Sequence, residues 1–268
     1  MKVFTHQVIA KTGESGTLTA YLPAHFPEFG DQTLRKAVII CPGGGYAHVS
    51  EREGEPVALQ LVAAGLAAFV LEYSVAPAQY PTALTQLAEA VSYVRQNATE
   101  WYIDPQKILV AGFSAGGHLA ASLGTMWHTE LVEMGFDPTG IRPDGLILSY
   151  PVISAGTFAH QGSFENLLQS PEVTDWQAQS LEQLVTQQVP PVFIWHTVAD
   201  QAVPVENSLL FVKALQQAQV PYECHLYPNG PHGLSLANSS TATANNPAVA
   251  NVASWLELLK TWLDTFYG

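Results

Sequence analysis

The amino-acid sequence predicts an α/β fold in which helices cover both faces of a mostly parallel, eight-stranded sheet. Short runs rich in Val, Ile, Leu and Phe, most of them bounded by Gly or Pro, are typical of buried parallel strands. Stretches with helical periodicity separate these runs, as in a sheet wound with helices. Of the 268 residues, 47% are hydrophobic and only 12% are charged. That composition supplies a large core and excludes disorder over most of the chain.

The elements follow one another in a regular order. Residues 3–9 and 17–21 alternate in polarity around the turn-forming stretch 11–16, so they predict an antiparallel hairpin. Apolar runs predict six more strands, at 37–41, 67–72, 107–111, 145–149, 192–195 and 222–227. Helices are predicted at 54–64, 83–96, 115–125, 205–217 and 248–266. In the last of these, Trp255 and Trp262 share the apolar face and are predicted to be core residues. Because neither an internal repeat nor a long linker is visible, residues 1–268 are expected to form a single domain.

The charge balance restricts the partners. The chain carries 10 Lys and Arg against 23 Asp and Glu, a net charge of −13, which disfavours nucleic acid and anionic membranes as partners. No apolar run approaches the roughly 18 residues of a membrane span, and the first residues lack the apolar stretch of a signal peptide. Cys41 and Cys224 lie in predicted strands and are expected to be small buried side chains rather than a disulfide. These features predict a cytoplasmic protein.

A candidate nucleophile follows the strand predicted at 107–111. Residues 112–116 read Gly-Phe-Ser-Ala-Gly and open a predicted helix, which is the strand–turn–helix setting that the G-x-S-x-G motif requires. Gly112 and Gly116 have no Cβ, so strand and helix can pass close to Ser114 and present its hydroxyl above the sheet. The alternative, a capping serine at a Gly-rich helix start, explains fewer of these features. Ser114 is therefore the predicted nucleophile.

A serine needs a base, and the base needs an orienting acid. Among nine histidines, His232 lies in a Gly-Pro-His-Gly loop just after the last predicted strand, where it can reach over the sheet. His196, which ends the preceding strand, is the rival base, but we expect it to be buried and bonded to backbone. Asp200, in the loop after that strand, is the predicted acid, and Glu206 is a weaker candidate at a helix start. The predicted order is Ser114, Asp200, His232.

Three consecutive glycines follow the strand at 37–41 and read Pro-Gly-Gly-Gly-Tyr with their neighbours. Glycines at this point let backbone N–H groups turn toward a ligand. We therefore predict an oxyanion hole made by the N–H groups of Gly44, Gly45 and Ala115. A phosphate-binding role is disfavoured, because no G-x-G-x-x-G or G-K-[ST] pattern is present and the net charge opposes it.

These stretches resemble a known family. The segments PGGGY (42–46), GFSAGGHLA (112–120), HTVADQAVPVENS (196–208) and PNGPHGLSLA (228–237) resemble bacterial α/β-hydrolases of the acetyl esterase and carbohydrate (xylan) acetyl esterase type, related to hormone-sensitive lipase. Such enzymes often begin the glycine loop with His, where this chain has Pro42. The resemblance extends from about the third strand to the last helix.

The resemblance implies a three-layer α/β-hydrolase fold and a serine esterase that acts on short acyl groups without a cofactor or metal. The expected substrates carry acetyl groups on sugars or oligosaccharides. The resemblance also implies a small cap insertion at about 154–189, which we expect to contain one to three helices. Tyr46 and Arg52 are candidate substrate-binding residues, with packing and solvent exposure as their alternative roles.

Two other functions remain open from the residues alone. An amide-bond hydrolase of the peptidase or formamidase type has the same fold and the same order of triad residues. A non-catalytic binding protein on a hydrolase scaffold is disfavoured, because such proteins normally lose a triad residue. The apolar C-terminal helix is compatible with burial inside the chain or with an interface in a homo-oligomer.

Overall fold

The computed structural model describes residues 1–30 and 33–268, and in this part of the chain eight strands form one sheet. The strands are β1 (Lys2–Ile9), β2 (Ser15–Leu22), β3 (Arg35–Cys41), β4 (Ala67–Glu72), β5 (Ile103–Phe113), β6 (Gly145–Ser149), β7 (Val192–Thr197) and β8 (Tyr222–Tyr227). Their order in the sheet is β1-β2-β4-β3-β5-β6-β7-β8. The pairs β1–β2 and β2–β4 are antiparallel and the other five are parallel. The predicted mostly parallel, eight-stranded sheet is confirmed.

Helices lie between most of the strands. They are α1 (Glu55–Ala63), α2 (Thr82–Gln96), α3 (Ala115–Met126), α4 (Glu130–Glu133), α5 (Pro138–Ile141), α6 (Gln161–Leu168), α7 (Val173–Trp176), α8 (Glu206–Gln217), α9 (Ala250–Ala253) and α10 (Trp255–Tyr267). The single C-terminal helix predicted at 248–266 is divided at Ser254, whose hydroxyl donates to the Asn251 carbonyl (2.6 Å). A serine hydroxyl bonded to nearby backbone in this way competes with regular helix geometry.

The sheet separates two apolar cores. Along β3, Ile39 packs into the core shared with α2, α3 and α8, whereas Val38 and Ile40 pack into the core shared with α1 and α10. This alternation is expected when both faces of a parallel sheet are covered. Trp255 and Trp262 are buried in the second core, as their spacing predicts. Cys41 is buried and Cys224 is half-buried, and both are free thiols.

The segment between β6 and β7 forms a small layer over the carboxyl ends of the strands. We call residues 154–189 the cap; it holds α6, α7 and two single 3-10 turns. Phe164 and Trp176 stack with their ring centroids 5.8 Å apart and pack on Val152, Ala155 and Val203. Across residues 1–30 and 33–268, no helix has the length and apolar character needed to cross a bilayer.

Candidate active site

Ser114 occupies a sharp turn between β5 and α3. Its backbone has φ 54° and ψ −119°, in the left-handed region that a side chain rarely adopts, and the residue is 7% exposed. A Cβ on Gly116 would lie 2.0 Å from the Cys41 carbonyl oxygen, and one on Gly112 would lie 2.1 Å from the Gly116 carbonyl oxygen. Both positions therefore require glycine, because the backbone segments are in direct contact. The strained backbone conformation of Ser114 persists only where the surrounding structure enforces it.

Ser114, His232 and Asp200 form a continuous hydrogen-bonded line. Ser114 Oγ lies 2.7 Å from His232 Nε2, and His232 Nδ1 lies 2.6 Å from Asp200 Oδ2. A carboxylate only accepts, so Nδ1 carries the ring proton and Nε2 is left to accept from the serine hydroxyl. The His232 side chain is 21% exposed whereas that of Asp200 is fully buried. This geometry lets the imidazole take up the hydroxyl proton while the carboxylate fixes its tautomer.

The Asp200 carboxylate is held from several directions. Oδ1 accepts the N–H groups of Ala202 (2.9 Å) and Val203 (3.0 Å). Burial would raise the pKa of Asp200, but hydrogen bonds from His196 and His232 and the Val203 amide outweigh it, so the pKa lies well below its ordinary value. The group is therefore a stable carboxylate at neutral pH. Glu206, the weaker acid candidate, is the first residue of α8 and has no hydrogen bond to His232 in the described part of the chain.

His196 lies in the core, away from Ser114. Its Nε2 is 3.0 Å from the Val203 carbonyl oxygen and 3.3 Å from Asp200 Oδ2, and its Nδ1 is 2.7 Å from Ser208 Oγ. Since a carbonyl only accepts, Nε2 carries the proton. The histidine is buried and bonded to backbone, as we expected, and it also contacts Asp200.

The glycine loop after β3 lies against the serine. Gly44 and Gly45 have φ values of 124° and 63°, and among residues 1–30 and 33–268 their N–H groups meet no acceptor. Ala115 is the first residue of α3, where backbone N–H groups are free of intrahelical partners. The Asn166 side chain of the cap donates to the Gly45 carbonyl (2.9 Å), and the Tyr73 hydroxyl donates to the Pro42 carbonyl (2.6 Å). An oxyanion hole formed by Gly44, Gly45 and Ala115 stays a prediction that this geometry permits.

The two candidate substrate-binding residues have partners inside the protein. The buried Tyr46 hydroxyl lies 3.0 Å from His118 Nδ1. Arg52 donates to the backbone carbonyls of Thr241 (2.9 Å) and Gly233 (3.1 Å), next to His232 in the chain. Contact of either side chain with a substrate stays a prediction. The part of the chain that the structure describes has no group of three or more His, Cys, Asp or Glu side chains arranged to hold a metal ion.

Glu53 and Tyr150 lie at the site but are not among the residues that the sequence pattern indicates. Glu53 belongs to a stretch of charges that predicts a solvated helix start, yet it is 3% exposed. Its Oε2 accepts the Gly43 N–H (2.8 Å) and its Oε1 accepts the Tyr150 hydroxyl (2.6 Å). The Tyr150 ring packs edge-on against His232, with centroids 5.1 Å apart. No local signal distinguishes Glu53 from the exposed Glu51, because its burial depends on the distant β6 and on the loop that carries His232.

Comparison with known proteins identifies the fold family. Residues 38–236 match the family model described as the α/β hydrolase fold. The chain is 39% identical over 217 residues to endo-1,4-β-xylanase B of Butyrivibrio fibrisolvens (78% of this chain, 34% of that protein). It is 31% identical over 207 residues to an acetylxylan esterase of Xylanibacter ruminicola (74% and 41%). The chain thus spans about a third to two-fifths of the length of these two curated relatives.

Solved structures are similar over nearly the whole chain. An acetyl ester-xyloside bifunctional hydrolase from Caldicellulosiruptor lactoaceticus has a TM-score of 0.80 and 38% identity, covering 95% of this chain and 90% of its own. A carboxylesterase from Lactobacillus plantarum WCFS1 has a TM-score of 0.88 and 32% identity, covering 99% and 98%. The resemblance that the sequence predicts is confirmed.

The contact at Gly116 yields a first prediction. Gly116→Ala places a Cβ among backbone atoms that cannot move aside, so we expect the free energy of unfolding to fall by at least about 3 kcal/mol, with slower labelling of Ser114 by a fluorophosphonate. Gly140→Ala is the matched control, because the nearest atom to its Cβ would be 3.6 Å away. Urea unfolding followed by tryptophan fluorescence measures both, and equal stability of the two variants would contradict the prediction.

The buried His118 predicts how the stability of the protein depends on pH. Its Nε2 donates to the Gln179 carbonyl (3.0 Å), and burial lowers its pKa from 6.5 to about 4. Between these values the unfolded chain binds a proton that the folded chain does not, so stability should fall as the pH drops through that window. We expect His118→Gln to reduce the loss between pH 7 and 4.5 by about 2 kcal/mol, whereas His48→Gln, on an exposed side chain, should not. An equal loss in the free energy of unfolding between pH 7 and 4.5 in wild type, His118→Gln and His48→Gln, measured by urea unfolding at each pH, would refute this prediction.

Proposed function

The chain belongs to the α/β-hydrolase family, and we propose that it is a serine carboxylesterase that cleaves short-chain acyl esters. The observation that carries the proposal is the line from Ser114 Oγ through His232 to Asp200 Oδ2, with distances of 2.7 and 2.6 Å. The solved relatives that it resembles over nearly their whole length include a carboxylesterase and an acetyl ester hydrolase, which supports the same activity.

In the proposed reaction, Ser114 Oγ attacks the ester carbonyl carbon while His232 Nε2 takes up the hydroxyl proton. The carbonyl electron pair moves to oxygen, and the N–H groups of Gly44, Gly45 and Ala115 stabilise this oxyanion. In other serine hydrolases one such donor is worth roughly 3 kcal/mol. The tetrahedral intermediate then expels the alcohol, which receives the proton from His232, and an acyl-enzyme remains.

Deacylation repeats these steps with water as the nucleophile. His232 takes a proton from water as the hydroxyl oxygen attacks the acyl carbon, and it returns that proton to Ser114 Oγ as the acid leaves. Asp200 keeps the imidazole in one tautomer and stabilises its charged form throughout.

We further propose acetylated sugars or oligosaccharides as the substrate class and the cytoplasm as the location. The acetyl-ester and acetylxylan names of the relatives support the substrate class. The cap is small, with two short helices, which suits a short acyl group better than a long apolar chain. Two free thiols and a net charge of −13 fit a reducing compartment and a neutral small-molecule partner.

The first test of this proposal is a rate profile on p-nitrophenyl esters of increasing acyl length. We expect kcat/KM to be highest for the acetate ester and to fall for longer acyl chains, because a cap with only two short helices suits a short acyl group. Ser114→Ala should lower kcat on acetate by about 10³-fold or more while leaving the unfolding transition unchanged, since only the nucleophile is lost. Wild-type rates in that variant would refute the proposed mechanism.

A matched pair of substrates separates ester from amide hydrolysis. p-Nitrophenyl acetate and p-nitroacetanilide carry the same acyl group and differ in the bond that is cleaved. Turnover of the anilide alone would establish the amidase alternative. Failure of both, together with no labelling of Ser114 by a fluorophosphonate, would establish the binding-scaffold alternative.

A further inference from the structure

Glu53 is a buried carboxyl group without a cationic partner. It is 3% exposed, and no Lys, Arg or His among the described residues lies within 4.0 Å of its oxygens. A charge in this position is costly unless hydrogen bonds compensate it. Both oxygens accept, one from the Gly43 N–H and one from the Tyr150 hydroxyl. This acceptor-only pattern is that of a carboxylate.

Tyr150 extends the connection to the loop that carries His232. Its hydroxyl accepts the Ser235 N–H (2.8 Å) while it donates to Glu53. Burial, and then the neighbouring Glu53 carboxylate, raise the pKa of the phenol well above its ordinary value. The phenol therefore keeps its proton and stays a donor to Glu53. Ser235 lies three residues after His232, and its own hydroxyl donates to the Arg52 carbonyl (2.7 Å).

Gly43, at the other end of the connection, is packed against the nucleophile. A Cβ at this position would lie 3.0 Å from the Ser114 Cβ and 2.9 Å from the Phe113 carbonyl oxygen. Its N–H donates to Glu53 Oε2, which anchors the first peptide of the glycine loop beside Ser114. The N–H groups of Gly44 and Gly45 belong to the next two peptides, so a shift of the Gly43 peptide would also shift them relative to Ser114 Oγ.

We propose that Glu53 is a positioning residue that fixes the glycine loop and, through Tyr150, the His232 loop in the arrangement that receives the oxyanion. This inference rests on the proposed serine esterase activity. Glu53 itself touches neither Ser114 Oγ nor His232 by hydrogen bond. Its effect arises because one carboxylate anchors both the glycine loop and, through Tyr150, the His232 loop, which lie far apart in the sequence.

Glu53→Gln tests this role with almost no change of shape. The amide replaces one oxygen with NH₂, which cannot accept a hydrogen bond, so either Gly43 or Tyr150 loses its acceptor. We expect kcat to fall by about 10- to 100-fold with KM changed less than about threefold, because a displaced oxyanion donor acts on the transition state and not on substrate binding.

A transition-state analogue supplies a readout that loss of stability alone would not change. Ser114 Oγ adds to the carbonyl carbon of a methyl trifluoromethyl ketone, the π electron pair moves to oxygen, and the hydroxyl proton moves to His232. The resulting alkoxide occupies the same place as the reaction's oxyanion. The Kd of this ketone, measured by ¹⁹F NMR on folded protein, should rise in Glu53→Gln by the same factor as kcat/KM falls.

Glu55→Gln is the matched control. It makes the same chemical change two residues away, on an exposed carboxylate whose partner is the Tyr21 hydroxyl (2.8 Å). We expect its kcat and ketone Kd to stay within about twofold of wild type, since surface substitutions rarely alter a distant site. Tyr150→Phe breaks the same connection from the other side. The fall in kcat caused by Tyr150→Phe should not add to that caused by Glu53→Gln in the double variant, because both substitutions break the same hydrogen-bonded connection.

The outcomes distinguish this inference from the function on which it rests. Wild-type kcat and ketone Kd in folded Glu53→Gln would overturn the inference while the esterase proposal stands. The inference is also overturned if Glu53→Gln only lowers the fraction of Ser114 that a fluorophosphonate labels, while kcat per labelled Ser114 equals that of wild type. If wild-type protein hydrolyses no ester, the esterase proposal fails, and the Kd ratio still tests Glu53. If Glu53→Gln does not fold, Tyr150→Phe carries the same comparison of kcat and Kd.

Discussion

The site depends on a contact between two backbone segments that is too close to leave room for a side chain. Gly116, in the first turn of α3, packs on the Cys41 and Pro42 carbonyl oxygens at the end of β3. In return, Gly43 packs on Ser114. The turn that carries Ser114 and the glycine loop are therefore in van der Waals contact along their main chains. Because β3 and β5 are adjacent and parallel, their carboxyl ends meet at one edge of the sheet, and the sheet itself brings the two segments together.

Such a contact leaves polar backbone groups that water cannot reach, and buried side chains satisfy them. Tyr73 binds the Pro42 carbonyl, and Glu53 binds the Gly43 amide. One cap residue contributes as well, since the Asn166 side chain donates to the Gly45 carbonyl. Within the described chain, the N–H groups of Gly44, Gly45 and Tyr46 are left without an acceptor. Asn166 ties the cap to the glycine loop.

Local pattern was enough to predict the sheet, most helices and the segment around Ser114, because each is encoded by short-range periodicity or by glycine spacing. The order of Asp200 and His232 after late strands could also be predicted, and the structure brings both to Ser114. Glu53 could not, because its contact with Tyr150 spans 97 positions in the sequence, and Glu51, in the same charged stretch, is exposed. The division of the last helix at Ser254 was likewise not predicted, because the apolar spacing continues across this residue, whose hydroxyl donates to the Asn251 carbonyl.

The distribution of cationic side chains bears on which substrates the site favours. The chain has only 10 Lys and Arg, and among the described residues none of them hydrogen-bonds to Ser114, His232 or Asp200. Arg52, which lies near the His232 loop, has its guanidinium bound to backbone carbonyls. Positive potential at Ser114 therefore comes from backbone amides and from the amino end of α3. Amide dipoles held in place stabilise an oxyanion that forms briefly, but they attract a permanently charged substrate only weakly. With a net charge of −13 opposing anions at long range, this favours neutral acyl esters.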